Sequence, residues 1–192
     1  MTEYSKETSF WHLLKEKRIV IPIIQRDYAQ GRIGKEYLRQ RFLGQLLCAL
    51  KTDTPESKLV LDFVYGSTEG NILYPLDGQQ RLTTLWLLHW YLALRAGALD
   101  EDGQTLRNFS YETRTSSRIF CDNLCKIKAS YKPETDDVVS FIRNQRWYYS
   151  SYDQDPTIQS MLCMLGGSGM EGKSDGIEKM FSFGEDFGNY LD

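Results

Sequence analysis

Apolar side chains recur along the chain at the spacings that distinguish helices from strands. The pattern predicts a helix at Ser9 to Lys17 and then a short strand at Arg18 to Ile21, which Pro22 ends. Apolar residues at every fourth position from Leu38 to Leu50 predict a second helix. A polar segment is therefore expected between the first strand and the second helix.

A hairpin and a long buried helix are predicted next. Leu59 to Tyr65 and Asn71 to Leu76 are expected to be paired strands, with the turn at Ser67 to Gly70. From Gln79 to Ala96 nearly every face is apolar. This stretch predicts a helix at the centre of the domain that ends at Gly97.

After a loop rich in Gly and Asp, three further helices are predicted at Ser116 to Lys128, Asp136 to Trp147 and Pro156 to Leu165. Strands near the N-terminus followed by helices predict an α+β fold, with a small β-sheet core, packed helices and a mainly α-helical C-terminal part. We expect the core at residues 1–100, a helical extension of the same domain at 101–165, and a Gly-rich linker with a mobile tail at 166–192.

The chain has 192 residues and a formal net charge of -3. This length suits one domain, and this charge provides no overall basic field for a protein that coats DNA through many phosphate contacts. The first residues lack the pattern of a signal peptide, and no apolar stretch reaches the length of a membrane span. We therefore expect a cytoplasmic protein without membrane contact, in which any anion site is local.

The segment from Asp77 to Arg81 joins a predicted strand to the long helix and has the residues of an anion-binding turn. Gly78 lets a ligand approach the backbone, the first helical amides offer free donors, and Arg81 adds a bidentate donor for phosphate. Asp77 is a candidate to hold Mg²⁺ or orient water, and Gln79 or Gln80 would position the attacking group or read a base. The same residues also fit an ordinary turn in which Asp77 caps the helix and Arg81 pairs with a surface acid.

A second Gln-Arg pair, Gln25 and Arg26, follows the strand that Pro22 ends. Arg26 would supply another cation to a polyphosphate, and Tyr28 would offer a ring or hydroxyl to a base or sugar. Arg114, near a predicted helix start, is a further candidate for contact with an anion. Solvated charges or a structural network are the alternative in each case.

Two motifs together carry a resemblance to a known family: IPIIQRDY at Ile21 to Tyr28 and LDGQQRLTTLWLL at Leu76 to Leu88. They resemble the N-terminal domain of GmrSD-type, modification-dependent (type IV) restriction endonucleases. Weaker similarity continues in YETRTSSRIF at Tyr111 to Phe120 and DPTIQSMLCML at Asp155 to Leu165. The resemblance implies a ParB/sulfiredoxin-like core in which DGQQR, Asp77 to Arg81, is the nucleotide motif.

The resemblance also implies an activity, which is Mg²⁺-dependent binding and hydrolysis of nucleoside triphosphates in a restriction or anti-phage defence protein. The implied catalytic residues are Asp77, Gln79, Gln80 and Arg81, and Asp77 is the candidate Mg²⁺ ligand. The expected nucleotide-binding residues are Gln25, Arg26, Gly78 and Arg81, which match the family motifs, together with Tyr28 and Arg114, which are candidates from their chemistry and position. The expected partners are the nucleotide, DNA reached through a full-length or partner nuclease, and a second copy of the chain in a homodimer.

The chain departs from this family pattern in lacking a nuclease motif, because neither His12 nor His89 lies in one. This chain alone is therefore not expected to cut DNA, and its end is expected to be an interruption before the nuclease part. A non-catalytic, nucleotide-gated switch of ParB-like type is the alternative function. A sulfiredoxin-type reductase would need a cysteine where Gln79 and Gln80 stand, and an inactive remnant would bind no nucleotide.

Overall fold

The computed structural model describes residues 7–51, 59–112, 115–167 and 175–182. In these ranges the chain forms a mixed four-stranded sheet and eight α-helices, which confirms the predicted α+β class. The strands are β1 (Arg18–Ile21), β2 (Gly66–Glu69), β3 (Ile72–Pro75) and β4 (Phe109–Tyr111). The helices are α1 (Phe10–Glu16), α2 (Glu36–Lys51), α3 (Gln79–Ala96), α4 (Leu99–Leu106), α5 (Thr115–Leu124), α6 (Val138–Arg143), α7 (Pro156–Gly166) and α8 (Ile177–Met180), with a 3-10 helix at Ser150–Gln154.

The sheet brings the two motif segments to the same edge. Its strand order is β2-β3-β1-β4, and β1 runs parallel to both of its neighbours. Ile19 of β1 pairs with Leu73 on one side and Phe109 on the other. Because neighbouring parallel strands end at one edge of a sheet, the residues after β1 and after β3 leave the sheet side by side.

The predicted hairpin forms, but its first strand lies later in the sequence. β2 is Gly66–Glu69, so the strand expected at Leu59 to Tyr65 is wrong. Glu69 pairs with Ile72, and Gly70 turns the chain with a φ of 57°, in the left-handed region that favours glycine. The apolar run before β2 has the composition of a strand, yet most of its large side chains are exposed, so no sheet face buries them.

Two elements lie where a loop was expected. α4 contains Gly103, where an added Cβ would lie 2.6 Å from the carbonyl oxygen of Cys125. Glycine at this position permits close packing and does not make a turn, so the Gly and Asp content was misleading. β4 has three residues, too few for an alternating pattern to be recognised.

The central helix is confirmed. α3 ends at Gly97, which has a φ of 69° and donates its backbone N–H to the last turn. Trp86 and Trp90 are fully buried, and their indole N–H groups donate to the carbonyl oxygens of Leu106 and Leu124. α3 thus joins α4 and α5 into one core, and it also contacts α7 and α8. No helix in the described ranges is long and apolar enough to cross a membrane.

The remaining helices differ from the predictions mainly at their ends. α5 and α6 are shorter than expected, whereas α7 begins as predicted, with the Asp155 side chain as its cap. In α2 the buried apolar face is carried by Leu43 and Leu46, while Leu38 is half exposed. The four-residue spacing located this helix correctly but assigned its buried face only in part.

Residues 175–182 pack against the helices, which differs from the mobile tail expected from residue 166 onward. Ile177 and Phe181 are fully buried in the apolar core. Asp175 forms a buried ion pair with Arg39 of α2, and the guanidinium of Arg95 donates to the carbonyl oxygen of Phe181. The short helix α8 has too few residues for a period to be recognised, and the rest of the expected tail lies outside the described residues apart from Gly166 and Gly167.

Candidate functional site

The loop that follows β1, residues 22–31, lies against the turn that follows β3, residues 76–78. We call them the first loop and the second loop. Gln25 in the first loop donates its side-chain amide to the carbonyl oxygen of Leu76, at 3.0 Å. In the other direction, Gln79 at the start of α3 donates to the carbonyl oxygen of Arg26, also at 3.0 Å. The structure therefore brings together the two segments that carry the expected site residues.

Gln80 makes three further hydrogen bonds to the backbone of the first loop. Its Oε1 accepts from the N–H groups of Ala29 and Gln30, at 2.8 and 3.1 Å. Its Nε2 donates to the carbonyl oxygen of Asp27, at 3.1 Å. Because a loop has no helix or sheet partner for such groups, the amide of Gln80 provides the partners that secondary structure would otherwise supply. We call the side chains of Gln79 and Gln80 the glutamine clamp.

Tyr28 is buried beneath the first loop and does not present its ring to a ligand at the surface. Its side chain is 1% exposed, and its hydroxyl lies 2.8 Å from the hydroxyl of Thr84 on α3. Burial raises the pKa of Tyr28 well above its usual range, so the phenol stays protonated. The stacking or sugar-binding role expected for Tyr28 is not supported by this position, and the ring instead anchors the first loop to α3.

The second loop begins α3 without a side-chain cap. The residue before the first helical turn is Gly78, with a φ of 84°, and no described side chain caps this helix end. Asp77 therefore does not cap the helix as the alternative interpretation required, and its side chain is 78% exposed. The uncapped first turn of α3 keeps the donor-rich character expected of an anion-binding turn.

Arg81 is turned toward the segment that precedes β2. Its Nη2 donates to the carbonyl oxygen of Phe63 at 2.8 Å. The carboxylates of Asp62 and Asp77 lie 3.7 and 3.8 Å from the guanidinium, and both are 78% exposed. Such exposed, loosely spaced ion pairs contribute at most about 1 kcal/mol, so they are weak competitors for this cation.

A small cleft lies beside the first loop, next to the starts of α5 and α7. Its lining residues are Ile21, Gln25, Arg26, Asp27, Tyr111, Ser117 and Thr157, and its enclosed volume of about 10 Å³ has room for about one water molecule. A ligand bound here would therefore lie mostly outside the cleft. Arg26 is exposed here, and its guanidinium has no hydrogen bond or ion pair with any described residue.

One buried carboxylate organises the far wall of this cleft. Asp155 accepts hydrogen bonds from the hydroxyls of Ser116 and Ser117 at the start of α5, at 2.5 and 3.2 Å. It also accepts from the backbone N–H groups of Thr157 and Ile158 at the start of α7, at 2.9 and 3.2 Å. The two helix starts are therefore held together next to the first loop.

Two expectations remain, the nucleotide contact of Arg114 and the Mg²⁺ site at Asp77. Arg114 lies outside the described residues, so its expected contact with a nucleotide stays a prediction. Among the described residues, no group of three or more His, Cys, Asp or Glu side chains is placed to hold a metal ion. Asp77, the candidate Mg²⁺ ligand, shares the guanidinium of Arg81 with one other carboxylate, that of Asp62.

Sequence reasoning missed the residues that surround the two motifs. Ser117 and Thr157 line the cleft, and Asp62 and Phe63 contact Arg81, but none of these four was a candidate. The signal available for Ser117 and Thr157 was their place at predicted helix starts. Asp62 and Phe63 gave no signal, because they lie in the run predicted to be a buried strand.

The similarity of this chain to a known family extends far beyond the two loops. The model of the family described as "GmrSD restriction endonuclease, N-terminal domain" matches residues 10–166. No curated protein and no solved structure was found to match the chain. The family match covers most of the 192 residues and confirms the resemblance to this family. The chain therefore belongs to the family of N-terminal domains of GmrSD restriction endonucleases.

Proposed function

We propose that this domain binds a nucleoside triphosphate with its two loops, hydrolyses it, and thereby controls the nuclease part of a cytoplasmic DNA restriction or anti-phage defence protein. The observation that carries the proposal is the state of the Arg26 side chain. Its guanidinium is exposed on the cleft without a partner among the described residues, while its backbone is held by Gln79. An unpaired arginine on a fixed backbone is ready to bind an anionic group without first breaking another contact.

The phosphates would be shared between the two loops. Arg26 binds from the first loop, and the uncapped start of α3 after Gly78 supplies backbone donors from the second. Arg81 joins them by exchanging its weak contacts with Asp62 and Asp77 for a bidentate bond to phosphate. Arg114 is assigned to the same group from its place in the sequence beside a helix start.

Asp77 and Asp62 are the residues that would hold the Mg²⁺ of a bound nucleotide. This ion is usually held by one or two protein carboxylates together with phosphate oxygens and water, and it neutralises charge on the phosphates. The exposed carboxylate of Asp77, with Asp62 nearby across Arg81, is a donor set of that kind. When Arg81 turns to a phosphate, both carboxylates become available to the ion.

A nucleotide-gated switch without turnover is the second candidate function. It is favoured by the glutamine clamp, because the oxygen of Gln80 already accepts two hydrogen bonds from the first loop and has no lone pair left to accept from an attacking water. Binding would then change contacts of the domain with DNA, with the nuclease part or with a second copy of the chain. No cleavage of the nucleotide is needed for such a population shift.

The test is calorimetric titration of the domain with each of the four nucleoside triphosphates and Mg²⁺, together with measurement of phosphate release. Arg26→Ala and Arg81→Ala are each expected to weaken binding by about tenfold or more, because each removes a charge-assisted hydrogen bond. Arg18→Ala is the matched control. Arg18 is an exposed arginine at the opposite end of β1, so its loss changes net charge by the same amount away from the site.

The outcomes separate the two functions. Binding accompanied by phosphate release supports the hydrolase, and tight binding without release supports the switch. If the wild type binds none of the four nucleotides, both functions are rejected. An equal loss in Arg18→Ala would mean that the effect is one of net charge, and the assignment of Arg26 and Arg81 would then be wrong.

A further inference from the structure

We infer that Gln80 is a positioning residue, which sets the backbone of the first loop so that Arg26 faces the nucleotide, and that it does not contact the reacting phosphate or water. This inference rests on the proposed function. Gln80, which was expected to be catalytic, is thereby assigned a positioning role that acts through the backbone of the first loop.

The oxygen of the Gln80 amide is fully used by the first loop. It accepts from two consecutive backbone N–H groups, those of Ala29 and Gln30, and the amide nitrogen donates one of its two N–H groups to the carbonyl oxygen of Asp27. Gln79 holds the loop by its nitrogen, which donates to the carbonyl oxygen of Arg26. Gln80 would have to release a bond to Ala29 or Gln30 before its oxygen could accept a hydrogen bond from an attacking water.

The first loop is also fixed at its C-terminal end, at Gly31. The carbonyl oxygen of Gly31 accepts from the guanidinium of Arg39, which is fully buried, at 2.9 Å. A Cβ on Gly31 would lie 1.8 Å from the carbonyl oxygen of Ser160, so the loop packs directly on α7 here. Tyr28 and Gln30 fix the loop through their side chains, which contact the hydroxyl of Thr84, whereas the glutamine clamp holds the backbone groups between Arg26 and Gln30.

The first loop presents two N–H groups and one carbonyl oxygen to the side chain of residue 80, so this side chain needs both an acceptor and a donor. An amide supplies both. An ionised carboxylate at this position would keep the acceptor but would face the carbonyl oxygen of Asp27 with another acceptor. A protonated carboxyl would restore the donor. Gln80→Glu is therefore expected to be defective when the introduced carboxyl is ionised and to recover when it is protonated.

The experiment compares Gln80→Glu with wild type and with Gln45→Glu, which makes the same change at an exposed position on α2. Hydrogen-exchange protection of the Ala29 and Gln30 amides is measured without nucleotide. Nucleotide affinity and phosphate release are then measured from about pH 4 to about pH 9, a range that includes the ordinary glutamate pKa of about 4.3 and any value raised by the facing carbonyl oxygen.

At the alkaline end, Gln80→Glu is expected to lose protection at both amides and to bind nucleotide about tenfold more weakly. Both properties should return toward wild type as the pH falls. Wild type and Gln45→Glu should show no such recovery. Gln80→Met, which keeps the length of the side chain but removes all three hydrogen bonds, should show the defect at every pH.

Two results would overturn the inference. One is unchanged protection of Ala29 and Gln30 in both variants of Gln80. The other is a fall in the rate of phosphate release at unchanged affinity, which would mean that Gln80 contacts the reacting groups. If the wild type binds no nucleotide, the proposed function fails separately, and the exchange measurement still tests whether Gln80 holds the loop.

Discussion

At the scale of the residue, the site depends on a glycine that no other amino acid replaces without strain. Gly78 adopts a φ of 84° where the chain enters α3. An added Cβ would lie 3.1 Å from the Val64 side chain and 3.4 Å from the guanidinium of Arg81. Gly78 therefore allows both the turn and the close approach of the segment that carries Arg81's partners.

Gly78→Ala is expected to lower the free energy of unfolding by about 1–2 kcal/mol, the cost of the left-handed conformation for a residue with a Cβ, and also to weaken nucleotide binding. Gly34→Ala is the matched control, because Gly34 has the same φ of 84° and open space around its Cβ position. It should lose similar stability without loss of affinity. Denaturant unfolding and calorimetry measure the two effects, and equal affinity in both variants would contradict this account of Gly78.

At the scale of the elements, a buried ion pair joins α2, α7 and the segment that leads into α8. Arg39 and Asp175 are 0% and 1% exposed, and the guanidinium of Arg39 also lies 3.6 Å from the sulfur of Cys163. The Nε of Arg39 is buried without a hydrogen bond among the described residues. This pair is held by its surroundings, and loss of one partner would leave a buried charge.

Asp175→Asn is expected to reduce the free energy of unfolding by about 3–5 kcal/mol, because the charge of Arg39 then remains buried without its counter-ion. Replacement of both partners, by Arg39→Met with Asp175→Leu, should cost much less than the sum of the two single changes. Denaturant unfolding of the wild type, Arg39→Met, Asp175→Leu and the double variant measures the coupling. Additive losses would show that the two side chains do not act as a pair.

At the scale of the whole molecule, the stability of the fold should depend on His89, a half-buried histidine of α3. His89 on α3 stacks on Trp11 with ring centroids 5.7 Å apart and contacts Phe10, so α1 covers it. Burial lowers the pKa of His89, and a hydrogen bond to the carbonyl oxygen of Leu85 only partly opposes this effect. The folded protein therefore holds the ring neutral.

The unfolded chain gains a proton at this histidine near its ordinary pKa of about 6.5, whereas the folded chain gains it only at lower pH. The contribution of His89 to stability is thus complete above about pH 6.5 and is lost as the pH falls toward the lowered pKa. His89→Phe should flatten this part of the profile, while His12→Gln, a change at an exposed histidine, should not. Thermal unfolding at a series of pH values measures the difference.

Local rules predicted the parts of the fold whose signals lie within a few residues. Ser9, Asp155 and Gly97 marked helix ends correctly, because a cap acts on the neighbouring turn. The same rules missed α4 at Gly103 and placed the first hairpin strand too early, at Leu59 to Tyr65. In both cases the secondary structure that formed depended on contacts with residues far away in the sequence.

The site divides in the same way. The sequence by itself determined the residue types, the turn at Gly78 and the family, because each depends on short segments and their order. Only the tertiary structure decided that Gln80 holds the first loop, that Tyr28 is buried, and that Arg81 contacts the segment before β2 while the guanidinium of Arg26 has no partner among the described residues. The physical reason is that a side chain forms hydrogen bonds with the groups that the fold brings within about 3 Å of it. The spacing of residues along the chain does not specify which groups these are.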